Sequence, residues 1–275
     1  MGLVEDDIPG TTANPFLITL KGKKMGFDLK SISVTNRDKF QPIMCLYGVE
    51  GIGKTTFAAG ADKPIFLPTE DGLVSTPGVH AFPTPQSWDD VREACGSLAG
   101  DHEYKTLVID TVDWLEPLLF AEIAKEQGKT SVEEIGFGKG YSMAAERFRK
   151  FLSALDALRK KKDMTVLFLA HSAIKKYDAP DTDPYDRFGL KLNKHIAAIV
   201  MEACDAVLFA NWQVQVTKQD GGFNRKITKA IGESERVLYT THSPTHDAKN
   251  RFSMPDRIDL DWKAFQTAMK GKNNG

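Results

Sequence analysis

Cysteine is scarce in this 275-residue chain, and a surplus of charge of either sign is missing. The three cysteines, Cys45, Cys95 and Cys204, are odd in number and far apart, and two of them sit inside apolar runs. Reduced core thiols are therefore expected, with neither a disulfide framework nor a structural zinc site. Lys and Arg total 36 against 37 Asp and Glu, a net charge of −1, so an anionic partner has to be held by a local patch and not by global charge. Long apolar runs are absent too: the longest, Met164 to Ala170, is far below the roughly 20 residues that span a bilayer. The acidic opening Met1-Gly-Leu-Val-Glu-Asp-Asp7 lacks the pattern of a signal peptide. The expectation is a soluble, cytoplasmic protein with no membrane partner. No repeat of fixed period is visible. What is present, 41% hydrophobic and 27% charged residues, suffices for one large or two small packed domains.

Residues 1–40 mix Gly, Lys, Thr and Asn around one apolar patch, Pro15-Phe-Leu-Ile-Thr-Leu20. They read as an N-terminal arm with a short strand, a candidate for oligomerisation. From residue 41 to 275 the pattern is that of a single α/β domain, with short apolar runs separated by amphipathic stretches. Strands are expected at Ile43 to Tyr47, Pro64 to Thr69, Thr106 to Ile109, Thr165 to Ala170 and Asp205 to Ala210. Each ends at a polar residue, and chemistry in such sheets gathers at the carboxyl ends of strands. Ser87 with Asp90 has the form of a capping box opening a helix to about Ala99. Ala144, Phe148, Phe151, Leu152, Leu155 and Leu158 recur at helical spacing, with Arg147, Arg149, Lys150 and Arg159 to Lys162 forming a basic, solvated side. Beyond Ala210, the runs Gln213 to Thr217, Arg225 to Ile231 and Arg236 to Thr241 read as antiparallel strands, with a hairpin turn at Asp220-Gly-Gly. A last helix is expected from about Asp259 to Lys270. The fold class is α/β: a mainly parallel central sheet, helices on both faces and a C-terminal antiparallel hairpin region.

Gly48-Val-Glu-Gly-Ile-Gly-Lys-Thr55 matches G-x-x-x-x-G-K-[ST] in full, after a strand and before a helix. In that context glycines let backbone N–H groups turn inward round phosphate oxygens. The binding stretch is Gly48, Val49, Glu50, Gly51, Ile52, Gly53, Lys54, Thr55 and Thr56. Lys54 is placed to bridge the β- and γ-phosphates of ATP, and the Thr55 hydroxyl to ligate Mg²⁺. Lys105-Thr-Leu-Val-Ile-Asp110 delivers a carboxylate at a strand end, as a Walker B Asp does toward the same Mg²⁺. Glu70, in Thr69-Glu-Asp-Gly72, either polarises a water for in-line attack or caps a turn. His171 ends a further strand, as a γ-phosphate sensor or as a structural histidine.

The order of P-loop, strand-end Glu, Walker B Asp, strand-end polar residue and hairpin region resembles the RecA-like ATPase core. The runs Gly48-x-x-Gly-x-Gly-Lys-Thr-Thr56, Thr69-Glu-Asp-Gly72, Gly138-Lys-Gly-Tyr141, Leu169-Ala-His-Ser172 and Ala248-Lys-Asn-Arg251 are, more closely, similar to the phage nucleotide-binding proteins of the Sak type. Those are RecA-related ATPases linked with single-strand annealing and recombination. The resemblance covers Gln41 to Ile258. It implies ATP hydrolysis with Glu70 activating water and His171 sensing the γ-phosphate, and it implies a homo-oligomer, ring or filament, in which Lys249 and Arg251 reach the neighbouring subunit's nucleotide. It also implies single-stranded DNA as partner, a single-strand-binding protein as accessory and, for a phage-encoded chain, the host cytoplasm as location. Two mobile loops would face the strand, 127–141 with Lys139 and Tyr141, and 174–194 with Lys175, Lys176, Tyr177, Arg187 and Phe188. Cations for phosphates and aromatics for bases suit such a site, although Asp178, Asp181, Asp183 and Asp186 oppose it. Left open are a helicase or loader, a protein-directed motor, a small-molecule kinase, and an assembly protein that binds nucleotide without turnover.

Overall fold

The computed structural model describes residues 40–220 and 226–271. Residues 1–39, nearly all of the expected N-terminal arm, and residues 221–225, which include the two glycines of the expected Asp220-Gly-Gly turn, lie outside the described residues, as do residues 272–275. In chain order the elements are β1 (Ile43–Gly48), α1 (Lys54–Ala59), β2 (Pro64–Pro68), β3 (His80–Ala81), α2 (Trp88–Ser97), β4 (Thr106–Asp110), α3 (Val112–Glu126), α4 (Lys139–Lys162), β5 (Thr165–Tyr177) and β6 (Tyr185–Leu190). They continue with α5 (Lys194–Ala203), β7 (Ala206–Asp220), β8 (Lys226–Tyr239), β9 (Lys249–Asn250), β10 (Arg257–Asp259) and α6 (Trp262–Lys270).

The strands lie in the order β10-β8-β7-β1-β5-β4-β2-β3, with β6 paired to β5 and β9 to β7. β7, β1, β5, β4, β2 and β3 run parallel to one another, while β6, β8, β9 and β10 join antiparallel. The parallel strands are buried on both faces, so their apolar runs split by period two. Ile43, Cys45 and Tyr47 of β1 join Phe148, Leu155 and Ile199 in a core under α2, α3, α4 and α5. Met44 and Leu46 join Phe57 and Phe265 in a second core under α1 and α6. Helices thus cover both faces of a mainly parallel sheet, as expected. All three cysteines are buried thiols in the first core.

The capping box is present as expected: Ser87 Oγ accepts from Asp90 N at 3.1 Å and Asp90 Oδ2 accepts from Ser87 N at 3.0 Å. Several boundaries differ from the sequence reading. β5 runs on through His171 to Tyr177, and β6 folds back on it, so the segment expected as a loop from 174 onward is a β-hairpin. The other expected loop, 127–141, ends in helix, because α4 begins at Lys139. The short strands expected on either side of Asn211 and of Gly232 are continuous in β7 and β8, with one irregularity between Trp212 and Val214. α6 starts at Trp262, where the Asp261 side chain accepts from Ala264 N.

Candidate nucleotide site

Close approach fixes the start of the glycine-rich loop. A Cβ on Gly48 would lie 2.3 Å from the Ala210 carbonyl oxygen of β7, so the loop leaves the sheet where only glycine fits. Gly53, the residue before α1, has φ 106°, a conformation that L side chains rarely adopt. These positions turn the chain so that Lys54 folds back over it: Nζ donates to the carbonyls of Gly48 at 3.2 Å and Val49 at 3.0 Å. Lys54 is 6% exposed. Burial lowers its ammonium from the ordinary range, against the pull of Asp110, Asp113, Glu70 and Glu50. An ammonium held by carbonyl oxygens in a partly dry pocket exchanges them readily for phosphate oxygens, which carry full charge.

β5 lies between β1 and β4, so the P-loop and Asp110 sit one strand apart, with the crevice between them opening at the carboxyl ends. Thr55 spans it: its hydroxyl donates to Asp110 Oδ2 at 2.9 Å. Burial raises the Asp110 carboxyl and Glu70 adds to the rise, while Thr55, Lys54 and His171 pull the other way. A hydroxyl and a carboxylate already in contact form a hard-oxygen donor pair of the kind Mg²⁺ takes together with phosphate, so the residues fit the ion that the motif implies.

Thr69 ties β2 to β4. Its backbone N–H donates to Asp110 O at 2.7 Å, its hydroxyl donates to Thr111 O and accepts from Thr111 N, each at 2.7 Å. The peptide between Asp110 and Thr111 is cis. This joint delivers Glu70, the next residue, to the same end of the sheet, near enough for its charge to act on Lys54 and Asp110.

His171 pairs in register with Gly48 and is clamped by Asp113 in the first turn of α3. Its backbone N–H donates to Oδ1 at 2.9 Å and its Nδ1 lies 2.8 Å from Oδ2. Burial pushes the Asp113 carboxyl up, but the two bonds from His171 outweigh it and hold the group below the usual carboxylate range. An ionised Asp113 takes the Nδ1 proton in its bond and leaves Nε2 as the ring atom for an outside ligand.

The structure thus gathers Lys54, Thr55, Glu70, Asp110 and His171 at one end of the sheet. Lys249 and Arg251 are at the other. β9 pairs with Ala206 and Val207 at the start of β7, where Lys249 Nζ donates to the α5 carbonyls of Met201 at 2.9 Å and Glu202 at 2.8 Å. Arg251 Nη1 donates to Asp205 Oδ1 at 3.0 Å. Neither reaches the P-loop of its own chain.

The loop residues also have local partners. The Tyr141 hydroxyl donates to Glu133 at 2.7 Å and its ring packs edge-on against Phe120. Lys175 turns under the hairpin, Nζ donating to Leu192 O at 3.1 Å beside Glu116. Arg187 pairs with Asp247 and covers the Tyr177 ring, and Phe188 stacks on Phe209 at 5.1 Å. Lys176 and Tyr177 remain exposed on the hairpin. Neither Asp113 nor Arg236 was among the residues expected at the site from the sequence. The Arg236 Nη1 lies 3.3 Å from the Ile52 carbonyl oxygen, a second cation at the P-loop that no local pattern marks.

The AAA domain family model matches residues 41–252 of this chain. The chain belongs to that family. The P-loop and the contact between Thr55 and Asp110 both lie within the matched residues. Among curated proteins the chain is similar to the SPbeta prophage-derived uncharacterized protein YorG of Bacillus subtilis (strain 168), 23% identical over 232 residues, 82% of this chain and 64% of that protein. The chain therefore spans just under two thirds of the length of that relative. Among solved structures it is similar to the RadB recombinase, with TM-score 0.42 and 15% identity over 82% of this chain and 90% of the other. No helix among the described residues is long and apolar enough to cross a membrane.

Proposed function

We propose that this AAA domain binds ATP with Mg²⁺ and hydrolyses it, and that it acts as a homo-oligomer on single-stranded DNA in phage recombination, annealing or repair. The observation that carries the ATP reading is the 2.9 Å bond from Thr55 to Asp110, made beside the buried ammonium of Lys54. When bound, Mg²⁺ neutralises phosphate charge, and Thr55 and Asp110 are the residues to hold it. Lys54 leaves the Gly48 and Val49 carbonyls for the β- and γ-phosphates. Glu70 orients the attacking water and takes its proton. His171, its Nδ1 fixed by Asp113, meets the terminal phosphate through Nε2.

The DNA reading is supported by continuity: the strand that carries His171 becomes the hairpin that exposes Lys176 and Tyr177. The phage reading is supported by the prophage-derived relative. Arg251, remote from its own P-loop, is assigned to the neighbouring subunit's ATP. A helicase, loader or protein-directed motor would share the site and differ in what the hairpin touches.

ATP turnover with and without single-stranded DNA tests both parts. Lys54→Ala should lose nucleotide affinity by about 100-fold or more, since charged hydrogen bonds contribute roughly 1.5–3 kcal/mol each, and equal affinity in the variant overturns the P-loop reading. DNA affinity should fall by roughly 0.7 log units per log unit of salt for each phosphate neutralised, and Lys176→Ala should flatten that slope. No single-strand binding at low salt with ATP present sinks the DNA reading and favours a protein motor.

A further inference from the structure

The groups gathered round the P-loop all come from one side of it. Asp110, Glu70 and His171 sit on or just after β4, β2 and β5, whereas β7 and β8 flank β1 on its other side. A triphosphate whose terminal phosphate meets Asp110 and His171 therefore has its nucleoside end toward β7 and β8.

Arg236 reaches the P-loop there, and Trp212 is its neighbour on β7. Gly48, Ala210 and Leu238 stand level across β1, β7 and β8, and two residues further out Trp212 and Arg236 are direct cross-strand partners. Leu208, Ala210 and Leu238 belong to the core under α1, and the period of two puts Trp212 and Arg236 on the same face. The guanidinium confirms that direction. Its Nη1 lies 3.3 Å from Ile52 O, and a Cβ on Gly53 would come within 2.6 Å of it. Arg236 makes no ion pair among the described residues. Trp212 is 39% exposed and has no ring neighbour among them. An uncompensated cation and an open indole beside a phosphate loop are complementary to the two halves of a nucleotide.

We infer that Trp212 and Arg236 form the nucleoside-side subsite, the indole stacking on the base and the guanidinium facing the phosphate nearest to it. The inference rests on the ATP reading of the P-loop and adds the residues that recognise the base. The site takes a nucleoside triphosphate and distinguishes it from bare polyphosphate.

The test is direct binding of ATP and of inorganic tripolyphosphate to the full chain by calorimetry. Trp212→Ala should weaken ATP by about 5- to 150-fold, the range for loss of one aromatic stack, and leave tripolyphosphate unchanged. Trp212→Phe should retain most of the ATP affinity. In the wild type, ATP should quench a component of tryptophan fluorescence that is missing from Trp212→Phe, a readout that survives even if the alanine variant folds poorly. Arg236→Ala should weaken both ligands, with partial recovery in Arg236→Lys. An unchanged ratio of ATP to tripolyphosphate affinity in Trp212→Ala, with no quenching of that component, overturns the subsite. If Lys54→Ala still abolishes ATP binding in that case, the P-loop reading stands alone. If the wild type binds neither ligand, the P-loop reading fails and the subsite falls with it.

Discussion

At the carboxyl end of the central sheet, Asp110 is buried with one donor on its carboxylate among the described residues, the Thr55 hydroxyl. At the amino end, Asp205 is equally buried but accepts from Ile43 N at 3.0 Å on one oxygen and from Arg251 at 3.0 Å on the other. Two carboxylates at opposite ends of the same sheet are thus treated differently. Asp205 is matched, and locks the starts of β1 and β7 to the β9 segment. Asp110 is left short of partners, and burial raises its carboxyl. A deficit of this kind is stable only because the rest of the sheet holds it in place, and it leaves capacity for a bound cation.

The largest expected effect would break that comparison by giving the amino end a share in the chemistry. If Arg251 serves the adjacent subunit, Arg251→Ala should cut turnover by roughly 10³–10⁵, the worth of an arginine finger in phosphoryl transfer, while nucleotide binding survives. Mixing Lys54→Ala with Arg251→Ala protein should then restore part of the activity, because some interfaces join an intact P-loop to an intact finger. A co-assembled mixture as inactive as its components confines Arg251 to its bond with Asp205. Glu70→Gln comes next, with turnover falling by about 10²–10⁴ and ATP affinity retained, the cost of removing a general base. Turnover near the wild-type rate, measured by phosphate release, makes Glu70 a turn residue.

The next effect is on stability. Asp205→Ala leaves the Ile43 N–H buried without its partner and should cost about 1–3 kcal/mol, read from denaturant midpoints at constant slope. No loss would mean that water or a backbone shift replaces the carboxylate.

These two ends were not equally legible in the sequence. The P-loop is contiguous, and Asp110 ends a run apolar on both faces, so each could be read from neighbours along the chain. Asp205 was taken only as the first residue of a strand, since its partners, Ile43 and Arg251, are 162 and 46 residues away. β5 shows the same limit within one strand. Its inner half is buried from Val166 to Ala170, but from His171 outward every side chain is half-buried or exposed, Ile174 being 68% exposed. Without a continuous apolar run that half reads as loop, and only pairing with β6 makes it a strand. Arg236 was illegible for the related reason that its contact with Ile52 joins residues far apart in the chain, which only the pairing of β7 with β8 brings together.

The smallest expected effect sharpens the comparison most. Asp110→Asn keeps the shape and an acceptor for Thr55 and removes the buried charge, so in the absence of nucleotide it should stabilise the chain at neutral pH, by about 0.5–2 kcal/mol, the usual gain from relieving a functional site. The sign with pH follows from the direction of the shift. A carboxyl that titrates higher in the folded state binds more protons there than in the unfolded chain, so stability falls as pH rises between the two values. The advantage of the asparagine variant should be complete above that window and vanish below the ordinary aspartate value of about 4. Adding ATP with Mg²⁺ should reverse the order, because a ligand at 100 times its dissociation constant stabilises the folded wild type by roughly 2.7 kcal/mol and the variant has lost the carboxylate that holds the ion. Melting curves of both proteins, with and without nucleotide at two pH values, give all four terms. An asparagine variant less stable than wild type at neutral pH without ligand would mean that Asp110 is as well matched as Asp205, and that the two ends of the sheet do not differ in the way described.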